Sequence, residues 1–257
     1  MIQRTMTSVI LALLSLLLLG CFHLPLVPQL TCILLGCGAV WEILGAYGVK
    51  NRAARLLSFA YAIALPLLPF GENRYLVLGL LALGLGFFTY LMGSIGKPVK
   101  NWMIFGSVFF SVSLYRCLAA FARIPRGAVV LCLTGVICAL TDIFAYLVGS
   151  RFGRHKLAPR VSPGKSIEGA LGALLITVTL VTLILAPHVG SLWLCALYVC
   201  VCSILSQWGD LSMSAVKRIA GVKDFGHIFP GHGGILDRCD SLLYTMAFTW
   251  ILSCFLP

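Results

Sequence analysis

The sequence predicts an all-α fold, a polytopic helical membrane protein with about nine transmembrane helices, and three observations carry that expectation. Of the 257 residues, 60% are hydrophobic and only 11% are charged, whereas about one quarter of a soluble domain is charged. Mean hydropathy is +1.01. Apolar runs long enough to cross a bilayer, about 20 residues of helix each, follow one another along the whole chain. This composition excludes a soluble enzyme. The absence of low-complexity tracts and of a fixed-period repeat excludes a disordered or fibrous chain.

The first run, 6–23, follows Arg4 and ends near Leu18-Leu19-Gly20-Cys21. That ending has the form of a lipoprotein signal, but further spans follow Cys21 where a secreted domain would be needed, so a retained span is expected. Runs 29–48 and 54–70 are separated by Lys50 and Arg52, and the second of them is short. Lys97 and Lys100 separate runs 75–95 and 102–122. Run 127–149 contains an acid, Asp142, about 10 Å from the run's far end at 1.5 Å per residue. Runs 168–187, 190–208 and the short 241–256 complete the series. The expectation is one integral membrane domain, with 1–125 as N-terminal helices and 126–257 as the C-terminal region that carries the chemistry.

Charge orients the bundle. Nineteen Lys and Arg against eight Asp and Glu give a net charge of +11, which suits phosphorylated partners at a membrane. Nucleic acid is not among them, because an intramembrane chain offers no folded basic module to a duplex. With nine spans, fifteen of the basic residues fall on the side of the N-terminus, while Arg74, Arg123 and Arg126 fall on the other and Arg116 lies within a span. The positive-inside rule then places the N-terminus and the two long loops, 150–167 and 209–240, in the cytoplasm. The eleven cysteines are odd in number, lie mostly in apolar runs and form no CxxC pair, so they read as small hydrophobes.

Six of the eight acids lie between 142 and 240: Asp142, Glu168, Asp210, Asp224, Asp237 and Asp240. An intramembrane carboxylate such as Asp142 needs a cavity, a cation or a paired charge and is read as functional; Tyr146 shares its face one turn on. The loop from Ser150 places five cations within fifteen residues beside Gly153 and Gly164, a composition suited to phosphates. Gly164-Lys165-Ser166 is not a P-loop, since the upstream glycine is missing and no strand precedes it. Glu168 reads equally well as a first-turn residue favoured by the helix dipole. If 208–218 is helical, Asp210, Ser214, Lys217 and Arg218 lie along one face. Asp237 and Asp240 are three apart, and such an oxygen-only pair suits Mg²⁺, which keeps waters and binds substrate phosphates through one or two carboxylates. Zinc through His227 and His232 is the lesser alternative. Pro230-Gly231-His232-Gly233-Gly234 supplies backbone that turns sharply and presents N–H groups to an anion.

The run Ser214 to Asp240 resembles the signature of the phosphatidate cytidylyltransferases, also called CDP-diacylglycerol synthases. Ser214, Lys217, Arg218, Lys223, Asp224, Gly226, Pro230, His232, Gly233, Gly234, Asp237, Arg238 and Asp240 fall in register. Upstream, Asp142-x-x-Ala145-Tyr146, Gly153-x-His155-Lys156-Leu157-Ala158-Pro159 and Ser162-Pro163-x-Lys165-Ser166-x-Glu168-Gly169 are similar to the family's second block. Residues 1–125 match only as apolar spans. Met213 stands where a glutamate is common, Phe144 for glycine, Ser166 for threonine and Cys239 for an aliphatic residue.

The resemblance implies that CTP and phosphatidic acid react, with Mg²⁺, to CDP-diacylglycerol and pyrophosphate. Two polyanions must meet, so charge neutralisation and in-line positioning should dominate over a protein nucleophile. Taken with the residues' chemistry, this gives metal to Asp210, Asp237 and Asp240, with Asp142 nearby, and catalysis also to Lys217, Arg218, Lys223, Asp224, His232 and Arg238. Substrate binding falls to Asp142, Tyr146, Lys156, Ser162, Lys165, Ser166, Ser214, Gly233 and Gly234. The setting implied is the cell's inner (plasma) membrane, with membrane lipids as partners, a cytoplasmic site and a homodimer as the family expectation. The rival readings are a CTP-dependent polyprenol or phytol kinase, which releases CDP, and an ion-coupled transporter using Asp142 and Asp210.

Overall fold

The computed structural model describes residues 17–22, 24, 26–67, 74–124, 126–226, 228 and 233–253. Numbered from the first helix seen in full, the elements are α1 (Leu26–Ala46), α2 (Arg52–Leu67), α3 (Arg74–Met92), α4 (Asn101–Ala120) and α5 (Gly127–Phe152). They continue with β1 (Lys156–Ala158), β2 (Ser162–Ser166), α6 (Ile167–Val189), α7 (Leu192–Ile219), α8 (Leu236–Cys239) and α9 (Leu242–Ser253).

Among the described residues six helices are long and apolar enough to span a bilayer: α1, α3, α4 with its extension to Arg123, α5, α6 and α7. Helices α2 and α9 occupy the third and ninth expected spans but have only 16 and 12 residues. Most of the first expected span lies outside the described residues. The architecture is therefore a helical membrane bundle, with six of the nine expected spans seen at full length among the described residues.

Two local expectations change. The loop 150–167 folds into an antiparallel hairpin, with Lys156 opposite Ser166 and Ala158 opposite Ser162. Pro159, Pro163 and Gly164 keep this polar stretch out of a helix. The eighth span does not stop at 208: α7 runs 28 residues to Ile219. Beyond 208 it buries Leu211, Met213, Ala215, Val216 and Ile219, and this apolar packing carries the helix into what composition marks as a loop.

Helix α5 packs along α6, α6 along α7 and α1 along α4, while α9 lies against α4 and α7. One core unites α1, α3, α4, α7 and α9 across both halves of the chain. A smaller one, Ile137, Val181, Val199 and Cys202, joins α5, α6 and α7. Lipid is as apolar as leucine, so close approach and hydrogen bonds hold membrane helices together. A Cβ on Gly169 would lie 2.7 Å from the Ala145 carbonyl and 2.9 Å from Gly149 Cα, so α5 and α6 touch backbone to backbone. Buried hydroxyls bond the preceding turn, as Thr141 does to the Ile137 carbonyl at 2.8 Å, which satisfies them inside apolar helices.

The hairpin is fixed to one end of the bundle. Val161, Leu211 and Ala215 are buried together beside Met92 and Ile95, and Arg218 Nε donates to the Val161 carbonyl at 3.1 Å. The described residues of the basic segments 93–100 and 151–165 thus meet the end of α7 that carries Lys217 and Arg218.

Candidate active site

The last turns of α7 carry the first acid of the site. Asp210 pairs with Lys165 of β2 at 2.5 Å and accepts from Ser214 Oγ, one turn on, at 3.3 Å. Beside it, a Cβ on Gly209 would fall 2.4 Å from the Asp240 carbonyl oxygen. Only glycine lets the turn after α8 approach α7 so closely, and that approach brings Asp240 to Asp210. Asp142 of α5 lies within electrostatic reach of both. Burial pushes the Asp240 carboxyl above the ordinary aspartate range, the Asp210 charge pushes the same way, and Lys217 opposes them. Three carboxylates from three elements therefore face two lysines.

Asp237 has a different environment. It pairs with Lys217 at 2.7 Å, both side chains being almost fully buried, and its other oxygen accepts from the N–H groups of Phe225 at 3.0 Å and Gly234 at 2.9 Å. Lys217 also sits over the Phe225 ring, 5.5 Å from its centroid. Gly233 has φ +84°, and a Cβ there would lie 2.8 Å from Asp237 Oδ2, so both its conformation and its space call for glycine.

Glu42 of α1 is a member of this site that sequence reasoning passed over. It is 2% exposed, and it accepts from the Ile235 N–H at 2.7 Å and the Leu236 N–H at 2.8 Å. The signal was available: it is an acid in an apolar span, the criterion that marks Asp142. A residue of the N-terminal helices 1–125 thus reaches the C-terminal region.

The hairpin is braced rather than loose. Ser166 Oγ caps α6 by accepting from Gly169 N–H at 3.1 Å, so this predicted substrate residue has a structural task. Glu168 receives the N–H groups of Arg154 and His155 and meets His155 Nδ1 at 2.6 Å. Ser162 and Lys165 lie on β2 and Lys156 on β1. Arg218 donates to two backbone carbonyls, Val161 and Val222. Lys156, Lys223, Asp224 and Arg238 are exposed, and Tyr146 is 74% exposed. His232, with Pro230, Gly231 and His227, lies outside the described residues. Met213 is fully buried in the main core.

Among the described residues no group of three or more His, Cys, Asp or Glu is gathered closely enough to hold a metal ion by itself. The donor chemistry nonetheless fits a hard cation that keeps its waters: Asp142, Asp210 and Asp240 offer oxygen only. The buried Tyr115 phenol lies against the Cys239 thiol and within electrostatic reach of Asp240 and Glu42. Asp237, which is expected to join the metal shell, pairs with Lys217 and accepts from two backbone N–H groups.

Residues 2–256 match the cytidylyltransferase family. A phosphatidate cytidylyltransferase of Staphylococcus epidermidis is 34% identical across 97% of both chains. That of Bacillus subtilis (strain 168) is 32% identical across 97% of this chain and 96% of its own. That of Mycobacterium leprae (strain TN) is 38% identical over 169 residues, 63% of this chain and 54% of its own.

Proposed function

The chain belongs to the cytidylyltransferase family, and we propose that it is a phosphatidate cytidylyltransferase, moving the cytidylyl group of CTP onto phosphatidate with release of pyrophosphate. The observation that carries this reading is the joining, at one end of a membrane bundle, of the Lys165–Asp210 and Lys217–Asp237 pairs with Asp240. Relatives alike over nearly the whole chain bear the same activity in their names.

A phosphatidate oxygen attacks the α-phosphorus of CTP, the bond to the β-phosphate oxygen breaks, and pyrophosphate leaves with that electron pair. Phosphatidate is already ionised at neutral pH, so no general base is required. What the protein supplies is neutralisation and alignment. Lys217 is held in place by Asp237 and Phe225, so its charge is pre-positioned. Lys165 exchanges Asp210 for nucleotide phosphate as CTP enters beneath the hairpin. Arg218 anchors the hairpin to α7, and Lys223 and Arg238 meet the anionic headgroup from the surface. Asp210 and Asp240, with Asp142 adjacent, would hold Mg²⁺, which supplies charge stabilisation to the CTP phosphates when bound. Asp237 serves to orient Lys217.

In this reading the enzyme sits in the cell's plasma membrane with the hairpin end toward the cytoplasm, where CTP is found, as the clustered basic segments require. Phosphatidate enters laterally from the bilayer. Mass spectrometry of the lipid after incubation of purified protein with phosphatidate, Mg²⁺ and CTP tests the reaction. The expected product is the substrate lipid plus one cytidylyl group, with pyrophosphate. Release of CDP together with a phosphorylated lipid alcohol would mean a kinase.

A further inference from the structure

Glu42 lies 193 residues before the backbone it binds. Its two oxygens take one N–H each, from Ile235 and Leu236, at the entrance to the turn that bears Asp237, Arg238 and Asp240. The surroundings are shaped to this carboxylate. A Cβ on Gly234 would fall 2.2 Å from Oε1 and 2.6 Å from Oε2, and one on Gly226 would stand 3.1 Å from Oε1. On the same face of α1, a Cβ on Gly38 would meet Ile235 Cδ1 at 2.7 Å. Helix α1 thus grips the turn by a bidentate carboxylate and by close packing.

We propose that Glu42 is a positioning residue, whose carboxylate sets the aim of Asp240 at the nucleotide site and of Asp237 at Lys217 through the backbone of Ile235 and Leu236. The proposal rests on the transferase reading for its consequence and on the two hydrogen bonds for its geometry. A carboxylate accepts both N–H groups; a carboxamide offers one acceptor and turns an NH₂ against the other donor. Glu42→Gln therefore preserves volume but frees one end of the turn, whereas Glu42→Asp keeps both acceptors on a shorter stem.

The test uses the full chain in detergent with Glu42→Gln, Glu42→Asp, Gly234→Ala and, as a control on α1 with open space around it, Gly45→Ala. Hydrogen–deuterium exchange of peptides covering 233–241 is the first readout. The Mg²⁺ concentration for half-maximal pyrophosphate release and KM for phosphatidate are the second. In Glu42→Gln and Gly234→Ala, faster exchange confined to that segment is expected. The Mg²⁺ requirement should rise about 10-fold to 100-fold, as for loss of groups that orient metal ligands. KM for phosphatidate should stay within about twofold. Glu42→Asp should recover part of the loss, and Gly45→Ala should match the parent. A general loss of folding would lower the active fraction without moving the Mg²⁺ requirement. Unchanged exchange over 233–241, or an unchanged Mg²⁺ requirement in an active Glu42→Gln protein, would overturn the proposal. A parent protein that releases no pyrophosphate would overturn the transferase reading separately, and the exchange readout would still decide whether Glu42 holds the turn.

Discussion

Asp240 illustrates how a buried carboxyl opposes stability. Its folded-state pKa is raised by burial and by Asp210, so the native chain keeps a proton that the unfolded chain has already released. Across the window from the ordinary value of 3.8 up to the raised folded value, the metal-free protein loses stability as pH rises. Above that window the penalty is complete. Asp240→Asn removes it while still accepting from Ser241 N–H, so its melting temperature without Mg²⁺ at pH 8 should exceed the parent's, as differential scanning fluorimetry would show. Mg²⁺ should stabilise the parent and not the variant. Lys217 behaves oppositely, because its removal strands Asp237 in a buried site. Lys217→Met should cost about 3 kcal/mol in chemical denaturation, and adding Asp237→Asn should return part of that. Asp237 and Asp240 look equivalent in the sequence, and spacing gave no sign that one would be committed to Lys217 and the backbone. Glu42 was marked in the sequence as an acid in an apolar span, but no local motif tied it to the site.

At the scale of elements, α5, the hairpin and α6 form one construction. Ser166 caps α6, Glu168 gathers the Arg154 and His155 amides, and Gly169 lets α6 rest on α5. Replacing Ser166 by Ala should cost about 1 kcal/mol, the usual value of such a cap. Gly169→Ala should cost about 1–3 kcal/mol, because its Cβ would meet backbone atoms that cannot turn aside. Both changes should raise KM for CTP by displacing Lys165, with little effect on KM for phosphatidate, in steady-state assays of pyrophosphate release. The long spans were legible because apolar runs of bilayer length have few other solutions. The hairpin was not, since strands of three and five residues broken by prolines carry no periodicity. The extension of α7 to Ile219 was legible only as a condition, because its charged residues lie among the ones it buries.

For the whole molecule, segments remote in sequence converge at one end of the bundle. The signature residues from Asp142 to Asp240 were visible as a concentration of charge in an apolar chain, and that concentration is where the structure builds its carboxylate and lysine cluster. Glu42 of α1 stood out in the sequence as an acid in a span, but the backbone it binds became visible only in three dimensions. If the cluster faces the cytoplasm, a cysteine placed at exposed Lys156 should react with a membrane-impermeant maleimide only after the cytoplasmic face is opened. Labelling in intact cells would reverse the orientation.

The most direct test of the account is pyrophosphate release by the purified chain with phosphatidate, Mg²⁺ and either CTP or ATP, beside Asp240→Asn. Release should depend on CTP and on phosphatidate and fall at least about 100-fold in the variant, the scale on which removal of one preorganised electrostatic group acts. Equal release from the folded variant would contradict it.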